Sequence, residues 1–419
     1  MVQGEREGQA WLLVFGAPAG WPEPAAWGLR CGSDMSRYLV VATAGAGGDL
    51  QPLIAAALAL RGRGHEVCFA GDASVQRALS GLGLEVEVLP AELDLGPRLI
   101  AAIRQAMAAT DGDLAAAGPI VEQRLAIWAQ EMAAVVQASL RRLRPDAVAT
   151  SLFGVEAVLQ ATPACPWALI NSTFYVGPSP PRPIEDDVGA RAVPLLRRYA
   201  RLATAAALVL HATDQVFDFS FDRLPAGHHY VGPLGLWEPV SETPAYLEQP
   251  GDPWVLVSIS SQLQDDLPLA EAALAALADK PVRVVVTLGP GHRPEEVTIS
   301  PPNAYLEQVV PHSAVLKRGL LLVSHAGHGS VMKALWEGRP MVLMPWGRDQ
   351  PGVAARARAL GLAEVVQPGE GAEQALAAAI ERALDSADMR RKAALHAARL
   401  QATDPPRVAA MLLESLAAG

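Results

Sequence analysis

The chain has 419 residues, 51 % of them hydrophobic and 19 % charged, with 34 Lys and Arg against 44 Asp and Glu for a formal net charge of −10. That is apolar material for about two or three domains, and it excludes global disorder. The acidic balance excludes a nucleic-acid or anionic-membrane binder, because both need a basic face toward phosphates. The local cluster Arg141-Arg142-Leu143-Arg144 reads as a solvated helix end.

Three cysteines (Cys31, Cys68 and Cys165) are odd in number and lack C-x-x-C spacing, so neither a disulfide framework nor a metal site is expected. A reducing cytoplasm fits them. No apolar run reaches the roughly 18 residues of a membrane span. The short run Ala10–Gly16 is followed by Trp21-Pro22-Glu23-Pro24 rather than by small residues, which argues against a secretory signal. Residues 1–34 are expected to be an extension or an upstream start-codon artefact, with order beginning near Met35.

From Tyr38 the pattern is regular. Tyr38–Ala44 is a continuous apolar run, the look of a strand buried on both faces. A glycine-rich turn leads into a helix with Pro52 in its first turn and Gly62 or Gly64 as its stop. His65–Ala70 reads as the next strand, and a helix after Asp72 leads to a strand in Leu84–Pro90. This is the rhythm of a doubly wound parallel sheet. Residues 91–143 are helical and irregular, punctuated by Gly118-Pro119, and Asp146–Ser151 and Pro166–Asn171 read as further strands.

A Pro-rich, aperiodic stretch at 233–253 predicts an interdomain linker. A second cycle follows, with strands in Trp254–Ser260, Val282–Leu288, Leu320–Ser324 and Met341–Met344, and helices near Pro268–Ala278 and Ser330–Glu337. The alanine-rich end is helical. The expected division is 1–34, 35–232, 233–253, 254–404 and 405–419, the last helix crossing back to the first domain. The fold class is α/β, two Rossmann-like doubly wound domains facing a cleft.

Three stretches carry chemistry. Gly45-Ala46-Gly47-Gly48-Asp49-Leu50-Gln51-Pro52 opens like a dinucleotide fingerprint, but Leu50 stands where G-x-G-x-x-G needs glycine. What remains is a sharp turn presenting Asp49, either a helix cap or a working carboxylate. Ser324-His325-Ala326-Gly327-His328-Gly329-Ser330 lies between a buried strand and a helix. Its glycines and the helix start form an anion cradle, and His325 and Ser330 can add donors. Metal binding by His325 and His328 lacks a third ligand. Finally, Pro345-Trp346-Gly347-Arg348-Asp349-Gln350 presents a carboxylate beside an amide, which suits vicinal hydroxyls or a second helix cap.

The order of these pieces matters more than any one of them. An anion cradle, Gly338-Arg339-Pro340 and P-x-x-x-D-Q, all within 325–350, resemble the nucleotide-sugar box of family 1 glycosyltransferases of the GT-B fold. Val309–Leu316 is similar to the start of that box, and Phe221–Leu234 to the stretch leading into that family's linker. The turn Gly48–Pro52 looks like the G-D-x-x-P turn of sterol and vancomycin-type glycopeptide glycosyltransferases. The wording His325–Ser330 resembles bacterial enzymes that decorate polyketides and enediynes.

The resemblance implies an inverting transfer from a nucleotide diphosphate sugar to a lipophilic small-molecule acceptor, with Asp49 as base and no metal or cofactor. It implies diphosphate binding by His325, Gly327, His328, Gly329, Ser330 and Ser261, and sugar binding by Asp349 and Gln350. The nucleobase would rest near Val309 and Val310, and Phe153, Phe174, Tyr175, Met107 and Trp128 are expected near the acceptor. Three positions depart from the plant-like pattern. Val309 replaces the stacking tryptophan, Lys333 replaces the ribose-gripping glutamate, and Ser260 replaces a glycine. Lys333 cannot accept from ribose hydroxyls, which favours a dTDP-sugar over a UDP-sugar, and Glu337 one turn on is a partner for it. A sterol or lipid glucosyltransferase using UDP-glucose, a sugar-nucleotide epimerase and a non-catalytic relative are the alternatives. A monomer or homodimer is expected, with no nucleic-acid partner and no integral membrane segment.

Overall fold

The computed structural model describes residues 35–43, 48–175, 198–199, 201–218, 224–238, 243–261, 264–289 and 291–419. The expected extension over 1–34 with Cys31, the turn residues 45–47, Val176 and Gly177, residues 221–223 and linker residues 239–242 lie outside them.

Two parallel sheets organise the chain. Strands β1 (Arg37–Val41), β2 (Glu66–Gly71), β3 (Glu85–Val88), β4 (Ala147–Thr150), β5 (Trp167–Asn171), β6 (Leu208–His211) and β7 (His228–Tyr230) take the order β3-β2-β1-β4-β5-β6-β7. Strands β8 (Trp254–Ser258), β9 (Arg283–Thr287), β10 (Ala304–Glu307), β11 (Gly319–Ser324), β12 (Met341–Leu343) and β13 (Ala363–Val365) take the order β10-β9-β8-β11-β12-β13. Both sheets therefore reverse direction once, between β1 and β4 and between β8 and β11. Such reversals open a crevice beyond the carboxyl ends of the strands, where α/β sheets bind ligands.

The central strands are covered on both faces, which is why they read as unbroken apolar runs. Every residue of β4, β5 and β8 is buried. Helix α1 (Leu50–Gly62) has Pro52 in its first turn, where the missing N–H costs nothing, and buries eight residues against the first sheet. Helix α2 (Ala73–Leu79) is capped by Asp72, whose carboxylate accepts from the Ser74 and Val75 N–H groups. Helices α3 (Leu95–Ala109) and α4 (Leu114–Leu143) make the long insertion. Gly118-Pro119 does not interrupt it, because Pro119 falls close to the start of α4 and removes only one ladder bond there. Helix α5 (Val155–Ala161) completes the described helices of this domain that bear on the site.

In the second domain α6 (Leu267–Leu277), α7 (His312–Arg318), α8 (His328–Trp336), α9 (Gln350–Ala359), α10 (Ala372–Asp385) and α11 (Ala387–Gln401) flank the sheet. The last helix, α12 (Pro405–Ala417), returns to the first domain. Its Ala409, Ala410 and Leu413 join Tyr38, Leu53 and Ile54 in one core, and each buried leucine there contributes about 1.5–3 kcal/mol. Glu414 fixes it in place, accepting from Arg63 Nη2 at 2.9 Å and lying 2.9 Å from His65 Nε2.

The two domains are in contact. Phe174, in the loop after β5, is 5 % exposed and packs into the core of the second domain with Val353, Ala354 and Ala357. Gly352 makes that possible, since a Cβ there would stand 2.4 Å from Phe174 Cζ. The Arg356 guanidinium lies 3.8 Å from the same ring and donates to Asp218 Oδ1 at 2.8 Å, with both side chains fully buried. Asp218 also accepts from the Tyr175 N–H and the Tyr230 hydroxyl. Arg399 reaches Asp214 at 2.5 Å. Among the described residues, no helix is long and apolar enough to cross a membrane.

Candidate active site

The carboxyl ends of the two sheets face one another, and each sheet places an aspartate at a helix start, Asp49 after β1 and Asp349 after β12. Asp49 precedes α1 with φ −75° and ψ −35°, and its side chain makes no cap bond. The bland cap reading is therefore not what the carboxylate does. The Ser172 hydroxyl, in the loop after β5, donates to Oδ1. Oδ2 is buried and has no hydrogen-bond partner among the described residues. An unpaired buried oxygen is costly to keep, and it marks a place for an arriving donor. Burial pushes the Asp49 pKa above the ordinary carboxylate range; the Ser172 and Ser151 hydroxyls and the Phe153 N–H work against that, while the charge of Asp349 adds to it.

Asp349 repeats the arrangement in the second domain. It precedes α9 without capping it, and its Oδ2 accepts from the Thr173 hydroxyl at 2.7 Å. Burial raises its pKa as well, partly offset by Thr173 and by the neighbouring Arg348. Gln350, the next residue, is held by the loop around it. It is 2 % exposed, its oxygen accepts from the Trp346 and Gly347 N–H groups, and its nitrogen donates to Gln264 Oε1 at 2.9 Å. Its amide therefore shapes the loop that carries Asp349.

The glycine-rich turn follows β11. Ala326 adopts φ +68°, and Gly327 is extended (φ −61°, ψ 131°) before α8 begins at His328. A Cβ on Gly327 would stand 2.5 Å from His325 Nε2, so only glycine lets the imidazole lie across this turn. His325 Nδ1 is 3.2 Å from the Ser258 carbonyl, which can only accept, so Nδ1 carries the proton and Nε2 is left with a lone pair. Burial holds its pKa down to about 4. Ser330 Oγ lies 3.4 Å from His312 Nδ1, and His312 Nε2 is 3.0 Å from Thr287 Oγ1. Ser261 is on the exposed loop after β8, against Gly289.

His328 does not turn its ring to the cradle. Its Nε2 is 3.0 Å from Thr213 Oγ1 of the first domain, and burial depresses its pKa to about 3. Only its main chain belongs to the helix start. Lys333 is 4 % exposed and pairs with Glu238 of the linker at 3.4 Å, while donating to Gln51 Oε1 at 3.2 Å. Glu337 is not its partner. Glu238 in turn accepts from the His312 and Ser313 N–H groups at 2.8 and 3.0 Å.

The remaining expectations divide. Val310 is 4 % exposed beside the 63 % exposed Val309, an apolar lip at the start of α7. Phe174 belongs to the domain interface, and Trp128 to the core under α4, with Nε1 donating to the Leu93 carbonyl. Met107 is half-buried on α3. Phe153 packs edge-on against Tyr199. Tyr175 lies edge-on to His211 and His228, and these line a cavity of about 30 Å³ with Asn171 and Thr173. That space suits water rather than an aglycone. Among the described residues, no group of three or more His, Cys, Asp or Glu is arranged to hold a metal ion.

Sequence reasoning missed Ser172, Thr173, Gln51, Glu238 and Arg348. The first two follow a recognised strand directly, and their position at its carboxyl end was the available signal. Two facing α/β crevices with paired aspartates, one domain carrying a glycine-rich helix start, form one site shared by two domains. Residues 39–171 match the glycosyltransferase family 28 N-terminal domain, and residues 271–416 match the C-terminal domain of erythromycin biosynthesis protein CIII-like proteins. The chain belongs to the family 1 glycosyltransferases of the GT-B fold, in the branch of bacterial secondary metabolism.

Demethyllactenocin mycarosyltransferase of Streptomyces fradiae is 26 % identical over 62 % of this chain and 58 % of its own length, so the match spans less than two thirds of that relative. The crystal structure of the glycotransferase of kitacinnamycin superposes with a TM-score of 0.69 at 22 % identity, covering 91 % of this chain and 99 % of that one. The spinosyn rhamnosyltransferase SpnG complexed with thymidine diphosphate gives 0.66 at 19 %, covering 91 % and 99 %.

Proposed function

We propose that this protein transfers a sugar from a nucleotide diphosphate sugar to a hydroxyl of a lipophilic natural-product acceptor, with inversion at the anomeric carbon. The observation that carries the reading is the Asp49 carboxylate. It is released from capping, held by Ser172 on one oxygen, and left with a buried Oδ2 that has no partner among the described residues, within charge range of Asp349.

In the reaction, Asp49 takes the proton from the acceptor hydroxyl as that oxygen attacks the anomeric carbon. The bond from this carbon to the β-phosphate oxygen breaks, and its electron pair leaves with the diphosphate. The N–H groups at the start of α8 face the growing charge, and His325 lies across the same turn. Asp349 orients the sugar hydroxyls, with Thr173 holding its carboxylate in place of that ligand. An α-linked donor gives a β-glycoside. A thymidine diphosphate donor is supported by Lys333, which removes an acceptor for ribose hydroxyls, and by the nucleotide in the spinosyn enzyme. A macrolide-like acceptor is supported by the name of the mycarosyltransferase relative.

The test is a transfer assay with dTDP- and UDP-sugars against a panel of lipophilic aglycones, read by mass shift and by the anomeric coupling of the product. A β-glycoside from an α-donor is expected. Retention of configuration, or epimerised donor with no acceptor added, would contradict the proposal.

A further inference from the structure

The glycine-rich turn supplies N–H groups but no cation, and the cations near it are mostly engaged elsewhere. Lys333 pairs with Glu238, Arg356 with Asp218, and Arg339 with the carbonyls of Leu316 and Lys317. Arg348 is the exception. In Gly347-Arg348-Asp349 the glycine precedes the left-handed position instead of filling it, and Arg348 adopts φ +58°. A residue with a Cβ disfavours that conformation, and where it persists in a loop it often serves a site.

The side chain reaches the loop that follows β8 in the same domain. Nη2 donates to Ser260 Oγ at 3.1 Å and to Gln264 Oε1 at 2.5 Å. Both acceptors are neutral, and Nε and Nη1 make no hydrogen bond to the described residues. No ion pair joins Arg348 to a carboxylate among them. Ser260 follows β8, His325 follows β11 and Arg348 follows β12, three adjacent strands of one sheet. The guanidinium is close enough to His325 for its charge to add to burial in keeping that imidazole neutral. The loop that carries it therefore neighbours the glycine-rich turn at the carboxyl ends of these strands, one residue before Asp349.

We infer that Arg348 is the cation of the donor site: its guanidinium turns its unengaged N–H groups to the diphosphate and balances the charge left there when the anomeric bond breaks. A planar fork of donors suits two phosphate oxygens at once. The inference rests on the nucleotide-sugar reading.

The test is calorimetric binding of dTDP, UDP and thymidine to the full chain and to the variants Arg348→Met and Arg348→Lys, across a range of salt. Arg348→Met should weaken dTDP by about 10- to 100-fold, flatten its salt dependence and leave thymidine unchanged. Arg348→Lys should restore part of the loss, which a merely structural role would not require. Wild-type dTDP affinity and salt slope in Arg348→Met, or equal losses for dTDP and thymidine, would overturn the inference. Failure of the wild-type chain to bind either dTDP or UDP would instead remove the donor reading beneath it.

Discussion

Ser172 and Thr173 are consecutive residues, and each donates its hydroxyl to a different aspartate: Ser172 to Asp49 of the first domain, Thr173 to Asp349 of the second. One loop after β5 thus holds both carboxylates, while Phe174 next to them anchors that loop in the second domain. The two carboxylates are set relative to one another by three successive side chains.

Separate roles for the two carboxylates predict separate consequences. Burial lifts the Asp49 pKa, and the Ser172 bond opposes that lift by favouring the charged form. Only the ionised carboxylate is a base, so activity should rise as pH increases through this pKa. Ser172→Ala should lower kcat by about tenfold and move the acid limb of the kcat profile upward. Thr173→Val should leave that limb in place and change the donor KM instead. Identical pH profiles and KM values for both variants would contradict the division.

His325 predicts a proton linkage. Its one proton at neutral pH sits on Nδ1, facing the Ser258 carbonyl, and burial holds its pKa to about 4. A diphosphate brought against Nε2 favours a second proton on the ring, against burial and the Arg348 charge, which oppose it. Binding of dTDP at pH 7.5 should therefore take up as much as about one proton, measured calorimetrically in buffers of different ionisation heat. His325→Gln should bind with less uptake. Equal uptake in both proteins would place the linkage elsewhere.

His328 predicts acid sensitivity. Its pKa is about 3 in the fold against an ordinary value of 6.5, because its buried ring cannot be charged cheaply. The stability it contributes is fully present above pH 6.5 and is lost as pH falls toward 3. Between pH 7 and 5 the loss from this one residue is about 2 kcal/mol. His328→Gln keeps an acceptor or donor for Thr213 but does not titrate. It should lose less stability than wild type over that interval in denaturant titrations, and an unchanged pH slope would contradict the account.

The repeating strands and helices were readable because a parallel sheet buried on both faces writes itself as apolar runs such as Trp254–Ser258 and Trp167–Asn171. Strands β6 and β7 were not read. They are short, and β7 (His228–Tyr230) carries two histidines and a tyrosine where the apolar signal would be. The cradle and both aspartates were visible as glycine-rich turns at strand ends. Their partners were not. Ser172 meets Asp49, and Lys333 meets Glu238 and Gln51, only after two domains come together, and such contacts leave no period in the chain. Gln350 adds a contact that its place beside Asp349 does not announce: its amide bridges the backbone of its own turn and the side chain of Gln264.

The most direct measurement is single-turnover sugar transfer by Asp49→Asn, with dTDP binding followed in parallel. The substitution keeps the Ser172 bond and the shape of the turn while removing the basic oxygen. Transfer should fall by about 10²- to 10⁴-fold while nucleotide affinity stays within about twofold of wild type. Wild-type transfer rates with intact nucleotide binding would contradict the assignment of Asp49 as the base, and with it the central claim.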